Sequence, residues 1–253
     1  MTPNPRQQRL LDQVRSHHHA SVEALAKLLD VTTQTVRRDV KLLVEANLLT
    51  RYHGGVTLPS SIENIAYVQR KGMSAEGKRR IAQCVVDRVP DGSSLILNIG
   101  TTTEEVARAM LHRRSLRVVT NNLNVAAILS DNAQSEVIVA GGIVRSRDRG
   151  IIGEATIDFI RQFKVDIGVI GISGIDGEGA LRDFDYREVK VAQTIIEQSR
   201  KVWLVADHSK FNREAMVRLA HLSQVDVLFT DRPVPAPFVA ILREAEVEVV
   251  VAQ

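Results

Sequence analysis

Apolar and polar positions in the first sixty residues repeat with the period of three short α-helices. The segments are RQQRLLDQV (6–14), SVEALAKLLD (21–30) and TTQTVRRDVKLLVEANLL (32–49), each with apolar residues at helical spacing. Ser21 and Thr32 stand where N-caps are expected. LLTRYHGGV then reads as a strand, a glycine turn and a returning strand. The pattern predicts three helices followed by a β-wing, with the histidine run 17–19 as the surface connection between the first two helices.

The third predicted helix has an apolar face and a polar, basic face. Val36, Val40 and Leu43 form the apolar stripe, whereas the opposite face carries Gln34, Arg37, Arg38 and Lys41. Arginine can donate two hydrogen bonds to guanine, glutamine can pair with adenine, and further cations can contact phosphates. A solvated charged face is the alternative, but two helices, a tight turn and a wing together favour a winged helix-turn-helix. The predicted DNA-contacting residues are Ser21, Thr32, Thr33, Gln34, Thr35, Arg37, Arg38, Lys41, Arg51 and His53.

From about residue 74 the pattern changes to β-branched runs that alternate with amphipathic helices. Such alternation predicts an α/β domain with a mostly parallel sheet covered on both faces. The predicted organisation is a small winged helix-turn-helix domain (1–58), a linker (59–73) and a larger effector domain (74–253). Ligand sites of parallel sheets lie at the carboxyl ends of the strands. Five polar or glycine-rich segments are predicted there: NIGTTT (98–103), TNN (120–122), GG (141–142), SGIDGEG (173–179) and ADHSK (206–210).

The segment NIGTTTEEVA (98–107) supports two compatible readings. Thr101 with Glu104, or Thr102 with Glu105, fits the capping-box pattern, which explains the threonines without a ligand. A glycine and consecutive hydroxyls at a strand end also suit a phosphate, because a helix N-terminus offers free amides. The two glutamates would oppose a dianion if they pointed inward. We favour a phosphate seat that is also a helix cap.

The distribution of charge supports a polyanionic partner for the first part of the chain only. Residues 1–58 hold eight Lys and Arg against five acidic residues, and the remainder holds 25 of each sign. The whole net charge of +3 therefore lies in the predicted DNA-binding domain. The excess is modest, so it adds to the helix pattern without replacing it.

Composition excludes several other classes of protein. Aromatic residues are only 4% of the chain, which argues against binding single-stranded nucleic acid by stacked rings. A single cysteine, Cys84, excludes an internal disulfide, and no metal site or cofactor is predicted; the triple histidine lacks carboxylate or cysteine neighbours. No apolar run approaches the ~18 residues of a membrane span, and the start is too polar for a signal peptide. A cytoplasmic protein is expected.

The motifs of the first sixty residues resemble those of a known family. Thr32-x-x-Thr35-Val36-Arg37-Arg38-Asp39-Val40 followed by Arg51-Tyr52-His53-Gly54-Gly55 resembles the DNA-binding signature of the DeoR family of bacterial repressors. Further segments extend the resemblance over essentially the full length, among them GGIVRSRDRGIIGEATIDFI (141–160), GISGID (171–176) and ADHSKF (206–211). The resemblance implies a homo-oligomeric repressor, dimer or tetramer, that binds double-stranded operator DNA and controls glycerol or sugar-phosphate catabolism.

The resemblance also implies a small phosphorylated effector, with glycerol 3-phosphate favoured, and an effector domain similar to ribose-5-phosphate isomerase. Lys210 is a candidate for the anionic group of the ligand. Arg145, Arg147 and Arg149 alternate as on an extended segment, and either a solvated edge or a contact to ligand or subunit stays open. The predicted effector-binding residues are Gly100, Thr101, Thr102, Thr103, Asn121, Asn122, Gly141, Gly142, Ser173, Asp176, Glu188, Lys190 and Lys210.

Similarity to an isomerase raises the alternative of an active sugar-phosphate enzyme with a DNA-binding appendage. The isomerases carry a DGAD-like turn and a Glu-Lys pair at a helix entry. Here the turn reads Ser173-Gly174-Ile175-Asp176, with serine in place of the first carboxylate, and Glu188 and Lys190 are separated by one residue. Proton abstraction needs a base and a charge stabiliser within hydrogen-bond reach of the reacting atoms. We therefore expect a sensor with no catalytic residues; a regulator of another phosphosugar pathway is the second alternative.

Overall fold

The computed structural model describes residues 3–17, 19–46, 48–52, 55–58 and 67–253. Two sequence predictions lie outside the described residues: His53 as a DNA contact, and residues 59–66 as linker. The N-terminal part consists, in chain order, of α1 (Pro5–His17), β1 (His19–Ser21), α2 (Val22–Leu29), α3 (Thr33–Glu45), β2 (Thr50–Tyr52) and β3 (Gly55–Thr57).

The three predicted helices are confirmed, and they pack around one apolar core. Leu10, Leu25, Val36 and Leu43 are completely buried there. The strands form an antiparallel sheet in the order β1-β3-β2, so β1 is an unpredicted third strand of the wing. His17 and His19 are exposed between α1 and α2, as predicted for a surface connection, and pairing with β3 additionally makes His19 part of a strand.

Local hydrogen bonds explain where α2 and α3 begin. The Ser21 hydroxyl accepts a hydrogen bond from the amide of Ala24, and the Thr32 hydroxyl accepts one from the amide of Thr35. Both caps satisfy amides that have no partner within the helix. Asp30 ends α2 in a left-handed conformation (φ 53°), which gives the tight turn before α3.

The C-terminal part consists, in chain order, of α4 (Tyr67–Gly72), α5 (Ala75–Arg88), β4 (Ser94–Leu97), α6 (Thr101–Ala109), β5 (Arg117–Thr120), α7 (Leu123–Leu129), β6 (Glu136–Val139), β7 (Ile143–Val144), β8 (Ile151–Ile152), α8 (Glu154–Ile160), β9 (Val165–Gly171), β10 (Gly174–Ile175), β11 (Ala180–Asp183), α9 (Tyr186–Glu197), β12 (Ser199–Val205), β13 (Val217–His221), β14 (Val227–Thr230), α10 (Ala236–Glu244) and β15 (Glu248–Val251).

Seven of these strands form one entirely parallel sheet in the order β15-β14-β12-β9-β4-β5-β6. Helices α5, α6 and α7 pack on one face of it, and α8, α9 and α10 pack on the other. The predicted parallel α/β architecture is thus confirmed. From β4 the chain continues through β5 and β6 toward one edge, and then returns to β9 on the opposite side of β4. This reversal between β4 and β9 is the crevice in which open parallel sheets bind ligands.

Three features of the C-terminal part were not predicted. Helix α4 lies within the segment 59–73 that the sequence pattern assigns to a linker. Strands β7 and β8 form a hairpin after the sheet edge, and β10, β11 and β13 form a small antiparallel sheet. These strands are two to five residues long, too short for a period-two pattern to stand out from the neighbouring loops.

Candidate functional site

A narrow polar cavity lies at the crevice between the carboxyl ends of β4 and β9. Its volume is about 20 Å³, which is space for about one water molecule. Both strand ends, the first turn of α6, α4 and the segment after β12 contribute to its wall. The lining residues are Arg70, Ile99, Gly100, Thr101, Thr102, Gly171, Ile172, Ser173, Asp183, Glu188, Val205 and Lys210.

The first turn of α6 forms one wall of the cavity. Gly100 is the N-cap residue and makes no side-chain cap, so amides of this turn have no carbonyl partner within the helix. The Thr103 hydroxyl does not cap the helix but lies within hydrogen-bond distance, 2.8 Å, of the backbone oxygens of Asn98 and Gly100. This geometry suits an anion, because the helix dipole and free amides both favour negative charge.

The predicted capping box in this segment is wrong. The carboxylate of Glu104 accepts a hydrogen bond from Tyr67 Oη at 2.8 Å and one from Asn124 Nδ2 at 3.0 Å. Glu105 instead forms an ion pair with Arg108. Both carboxylates are therefore held away from the amides of the first turn, and the concern that they would oppose a bound dianion does not apply to this arrangement.

Two cationic side chains reach the cavity. Lys210 comes from the 3-10 turn His208–Lys210 after β12, and its burial lowers its pKa to about 8. Arg70 comes from α4, and its guanidinium lies 3.7 Å from the Asp148 carboxylate. Together with the α6 amides, these groups can neutralise and hydrogen-bond a phosphate.

Two carboxylates also line the cavity, those of Asp183 and Glu188. Asp183 accepts hydrogen bonds from the Ser173 hydroxyl and from the amide of Phe184, while burial raises its pKa. Burial and the nearby Asp183 charge raise the pKa of Glu188 to about 7. Carboxyl groups in this position can hydrogen-bond the hydroxyls of a polyol. The cavity thus combines cations and helix amides that suit an anion with carboxyl groups that suit hydroxyls.

Arg145 organises the carboxylates behind the cavity. Its side chain is only 9% exposed and pairs with Asp148 (2.5 Å), Glu188 (2.7 Å) and Asp185 (3.0 Å). Burial alone would lower the pKa of Arg145, but these carboxylates raise it above its usual value. Arg145 is therefore not a solvated side chain but the counter-ion of an internal carboxylate cluster.

The other two arginines of this segment differ from Arg145. Arg147 is half exposed and pairs with Asp185 at 3.0 Å, and Arg149 is exposed with a left-handed backbone (φ 60°). The backbone amide of Arg149 donates to the carbonyl of Arg145, which closes a turn between β7 and β8. The predicted extended segment is thus wrong.

The structure brings together six of the predicted effector-binding residues. They line the cavity: Gly100, Thr101, Thr102, Ser173, Glu188 and Lys210. Sequence reasoning did not name Arg70 or Asp183. Asp183 is the last residue of β11, five residues before the predicted Glu188, and this nearby acidic position was an available signal. Arg70 belongs to the assumed linker and gave no signal.

Seven predicted residues lie outside the cavity wall. Thr103 binds the backbone as described above, Asn121 donates to the carbonyl of Ile151, and Asn122 caps α7. Their amide or hydroxyl groups thus hold loops in place. Thr156 on α8 donates to the carbonyl of Gly141 and approaches Gly142, so this glycine pair packs against α8. The residues outside the wall are Thr103, Asn121, Asn122, Gly141, Gly142, Asp176 and Lys190.

The last two predicted residues outside the cavity wall, Asp176 and Lys190, are those that resemble catalytic residues of the isomerases. Asp176 pairs with Arg182 at 2.6 Å and accepts the amides of Glu178 and Ala180, so it closes the β10–β11 hairpin. Lys190 is exposed, with its ammonium 5.3 Å from the ring of Tyr186. The Glu-Lys pair expected of an isomerase is therefore not assembled on one side of the cavity.

The N-terminal part presents a second candidate site, a concave polar surface of about 830 Å³ on α3. Gln34, Arg37, Arg38 and Lys41 are exposed there, as the predicted stripe requires. Arg51 from β2 joins them, and its guanidinium donates to the carbonyl of Arg37 at 3.3 Å. Thr32, Gln34, Thr35, Arg37, Arg38, Lys41 and Arg51 all line this surface.

Helix α3 is fixed by a polar contact with α1. Asp39, 3% exposed, accepts hydrogen bonds from Arg6 (2.6 and 3.1 Å) and Gln7 (3.1 Å). Of the other predicted contacts, Ser21 acts as the cap of α2, and Thr33 is half-buried at the start of α3.

Within the described residues, no cluster of three or more potential metal ligands occurs, and no helix is long and apolar enough to cross a membrane.

Comparisons with known proteins agree with the two-part structure. Residues 6–62 match the DeoR-like helix-turn-helix domain, and residues 73–232 match the DeoR C terminal sensor domain. The chain is 47% identical over 248 residues to the "Glycerol-3-phosphate regulon repressor" of Escherichia coli, covering 98% of both chains. It is 48% identical over 250 residues to the Haemophilus influenzae protein of that name, covering 99% of this chain and 97% of the relative.

A solved structure of ribose 5-phosphate isomerase A from Methanocaldococcus jannaschii is similar in fold alone, with a TM-score of 0.41 and 13% identity over 55% of each chain. The family resemblance predicted from the motifs is confirmed by the two domain matches and by the near full-length relatives. The chain belongs to the DeoR family, with its helix-turn-helix domain followed by its sensor domain.

Proposed function

We propose that this protein is a transcriptional repressor whose operator affinity falls when a small phosphorylated effector binds the sensor domain. The observation that supports this most strongly is the cavity at the β4–β9 crevice, where α6 amides, Lys210 and Arg70 face two carboxyl groups. It stands in the same chain as a winged helix with an exposed Gln-Arg-Arg-Lys stripe. One part thus has the chemistry to bind DNA, and the other to bind a phosphorylated polyol.

Glycerol 3-phosphate is the effector we favour. The relatives described above are named for the glycerol-3-phosphate regulon, and the cavity chemistry suits a phosphate joined to a short polyol. The amides of α6 and Lys210 would take the phosphate, and Asp183 and Glu188 would take hydroxyls. Control of glycerol or sugar-phosphate catabolism follows from that choice.

Occupancy rather than turnover is the proposed output. Asp176 is committed to a hairpin and Lys190 to the surface, so the cavity lacks the arrangement expected for proton transfer between carbons. A two-fold oligomer would place two α3 helices on half-sites about one DNA turn apart. Induction by ~100-fold would need about 2.7 kcal/mol of coupling between effector and operator sites.

The test is a calorimetric titration of the full-length protein with glycerol 3-phosphate and a panel of phosphorylated sugars, followed by operator binding at saturation. We expect one phosphorylated polyol to bind and to release the operator, with glycerol as the unphosphorylated control. Binding by the whole panel to the same degree would remove the effector assignment. Conversion of any panel member by the purified protein would support the isomerase alternative against the sensor.

A further inference from the structure

Helix α4 is the first described element of the C-terminal part of the chain, and it contributes Arg70 to the cavity wall. Its six residues precede α5 and follow residues 59–66, which lead back to the winged helix. The sequence pattern assigned this region to a linker. In the structure, hydrogen bonds attach both ends of α4 to the sensor domain.

The two ends of α4 are held in different ways. At the start, Tyr67 Oη donates to Glu104 at 2.8 Å and accepts from Asn124 at 3.2 Å. At the end, the buried ammonium of Lys78 donates to the backbone carbonyls of Arg70 and Met73. A cation at this end also suits the helix dipole. The start therefore depends on one side-chain hydroxyl, whereas the end is held by a buried charge.

Between these two ends, Arg70 projects into the cavity with hydrogen-bonding capacity to spare. Its Nε atom is buried and has no hydrogen-bond partner among the described residues. Its one ion-pair partner in that part of the chain, Asp148, lies at 3.7 Å and already receives two hydrogen bonds from Arg145. Buried donors are normally satisfied, so this guanidinium is poised for a further acceptor.

The size of the cavity requires some of its wall to move before an effector binds. A volume of about 20 Å³ holds about one water molecule, far less than a phosphorylated polyol. Most of the wall belongs to the sheet ends, α6 and α9, which the two main cores hold in place. Arg70 is the wall residue contributed by α4, and no side chain of α4 that the structure describes belongs to either core.

We propose that Arg70 is an effector-phosphate ligand and the residue that transmits occupancy to the winged helix. The guanidinium exchanges the Asp148 carboxylate for the phosphate, α4 shifts with it, and the shift passes along the connected chain to the DNA-binding domain. The proposal rests on the proposed function and adds to it a specific ligand and route. Arginine suits this role because its planar donors bind phosphate oxygens in pairs.

The first test compares Arg70→Gln with Arg79→Gln in the full-length protein. Arg79 is an exposed arginine on α5, paired only with its neighbour Glu76 among the described residues, and serves as the matched control. Glycerol 3-phosphate affinity is measured by calorimetry, and operator affinity by fluorescence anisotropy without and with saturating glycerol 3-phosphate. We expect Arg70→Gln to weaken effector binding about 10- to 100-fold, the range for a lost charge-assisted hydrogen bond.

If Arg70 transmits effector binding to the DNA-binding domain, Arg70→Gln should also lose operator release by the effector. At effector saturation, Arg70→Gln should retain operator affinity within about threefold of its effector-free value, whereas wild type and Arg79→Gln release the operator. Unchanged effector affinity would overturn the ligand assignment. Weakened affinity with full release at saturation would overturn transmission. Near-ultraviolet spectra matching wild type establish that the variant is folded, and Arg70→Lys should recover part of the affinity.

A second variant tests the route without touching the cavity wall. Tyr67→Phe removes the hydroxyl that holds the start of α4 to Glu104, so α4 should reach its shifted position more readily. We expect tighter effector binding, by a factor of about two to ten, and weaker operator binding without effector, because the substitution shifts the population toward the state that the effector binds. Unchanged values for both would overturn the route through α4.

The outcomes separate this proposal from the proposed function. If wild type binds no phosphorylated polyol, or binds one without releasing the operator, the proposed function itself fails. If wild type is induced normally and Arg70→Gln is induced equally well, only the role of Arg70 fails.

Discussion

Replacing Arg145 with methionine removes the cation that three carboxylates share. Asp148 is the most deeply buried of them, with its side chain 2% exposed, whereas Asp185 and Glu188 are 12% and 13% exposed. Methionine retains the aliphatic volume of the arginine stem but supplies no charge or donor. The variant therefore tests what happens when the buried carboxylates lose their counter-ion while the packing stays similar.

The expected loss in the free energy of unfolding is about 3 kcal/mol, at the low end of the 3–5 kcal/mol typical for removing one partner of a buried ion pair. Asp185 keeps its contact with Arg147, and Glu188 can accept a proton near neutral pH. Most of the cost thus falls on Asp148, whose remaining cations lie at 3.7 and 4.0 Å. Domains have about 5–15 kcal/mol in total, so the variant should fold but unfold readily.

The loss should also depend on pH, with a definite sign. In the variant, burial without Arg145 raises the pKa of the carboxylates above their unfolded values, so the folded state binds more protons. Stability of the variant then rises as pH falls from about 8 toward 5. In wild type, burial favours the protonated form of Asp185, but hydrogen bonds from the Arg187 amide and Arg145 hold the pKa of Asp185 below its usual value. The stability that ionised Asp185 contributes to wild type is therefore lost only in more acidic solution. The difference between the proteins should shrink with acidification.

Urea denaturation followed by tryptophan fluorescence measures this difference directly. Trp203 is the chain's single tryptophan, lies on β12 and packs 5.3 Å from the ring of Phe229, so it reports the sensor core. Arg147→Met is the control, because a half-exposed ion pair contributes no more than about 1 kcal/mol. A loss below about 1 kcal/mol for Arg145→Met, or one that is constant from pH 8 to pH 5.5, would refute the reasoning.

Four further outcomes are expected. Arg37→Ala should weaken operator binding at least tenfold in electrophoretic shifts, with effector affinity unchanged. Lys210→Ala should give a repressor that binds the operator but ignores glycerol 3-phosphate, seen as a flat calorimetric titration. Effector affinity should fall on the order of tenfold from pH 6.5 to 8.5, as Glu188 (pKa about 7) ionises and Lys210 (pKa about 8) loses its proton. Gly174→Ala should destabilise by more than about 1 kcal/mol, because its Cβ would lie 2.1 Å from the backbone oxygen of Arg213.

Each of these outcomes has a contradicting result. Loss of both binding activities in Arg37→Ala would argue against separate modules, and normal induction of Lys210→Ala would remove it from the site. An effector affinity that stays constant from pH 6.5 to 8.5 would contradict the assigned titration of Glu188 and Lys210. An unfolding midpoint for Gly174→Ala equal to that of wild type would show that the hairpin has room to adjust.

The features that sequence predicted well depend on neighbouring residues or on regular period. Ser21 and Thr32 cap helices through contacts three residues away, and the α3 stripe follows from helical spacing. The parallel sheet was predictable for the same reason, because its buried strands are continuous apolar runs between amphipathic helices. The polar ends of β4, β9 and β12 then follow from topology.

The features that sequence missed depend on side-chain contacts that residue spacing alone does not encode. Glu104 had the spacing of a capping box, but Tyr67, 37 residues earlier, accounts for its position. Asp176 matched a catalytic turn, yet a local hairpin and Arg182 engage its carboxylate. Arg70 lay in a polar segment without apolar periodicity, so nothing in the pattern placed it at the cavity.

The buried Lys78 ammonium anchors the end of α4, so a movement of this helix would be a rotation about that end. Detaching the end of the helix would leave a buried cation without its carbonyl acceptors, whereas among the described side chains the Tyr67 hydroxyl holds the start. Six helical residues span about 9 Å, so a rotation of about 10° moves the start of α4 by roughly 1.6 Å. Under the proposal, such a rotation would move the DNA-binding domain of each subunit by a small distance and always in the same direction. In a two-fold assembly, the spacing between recognition helices would change by up to twice that amount.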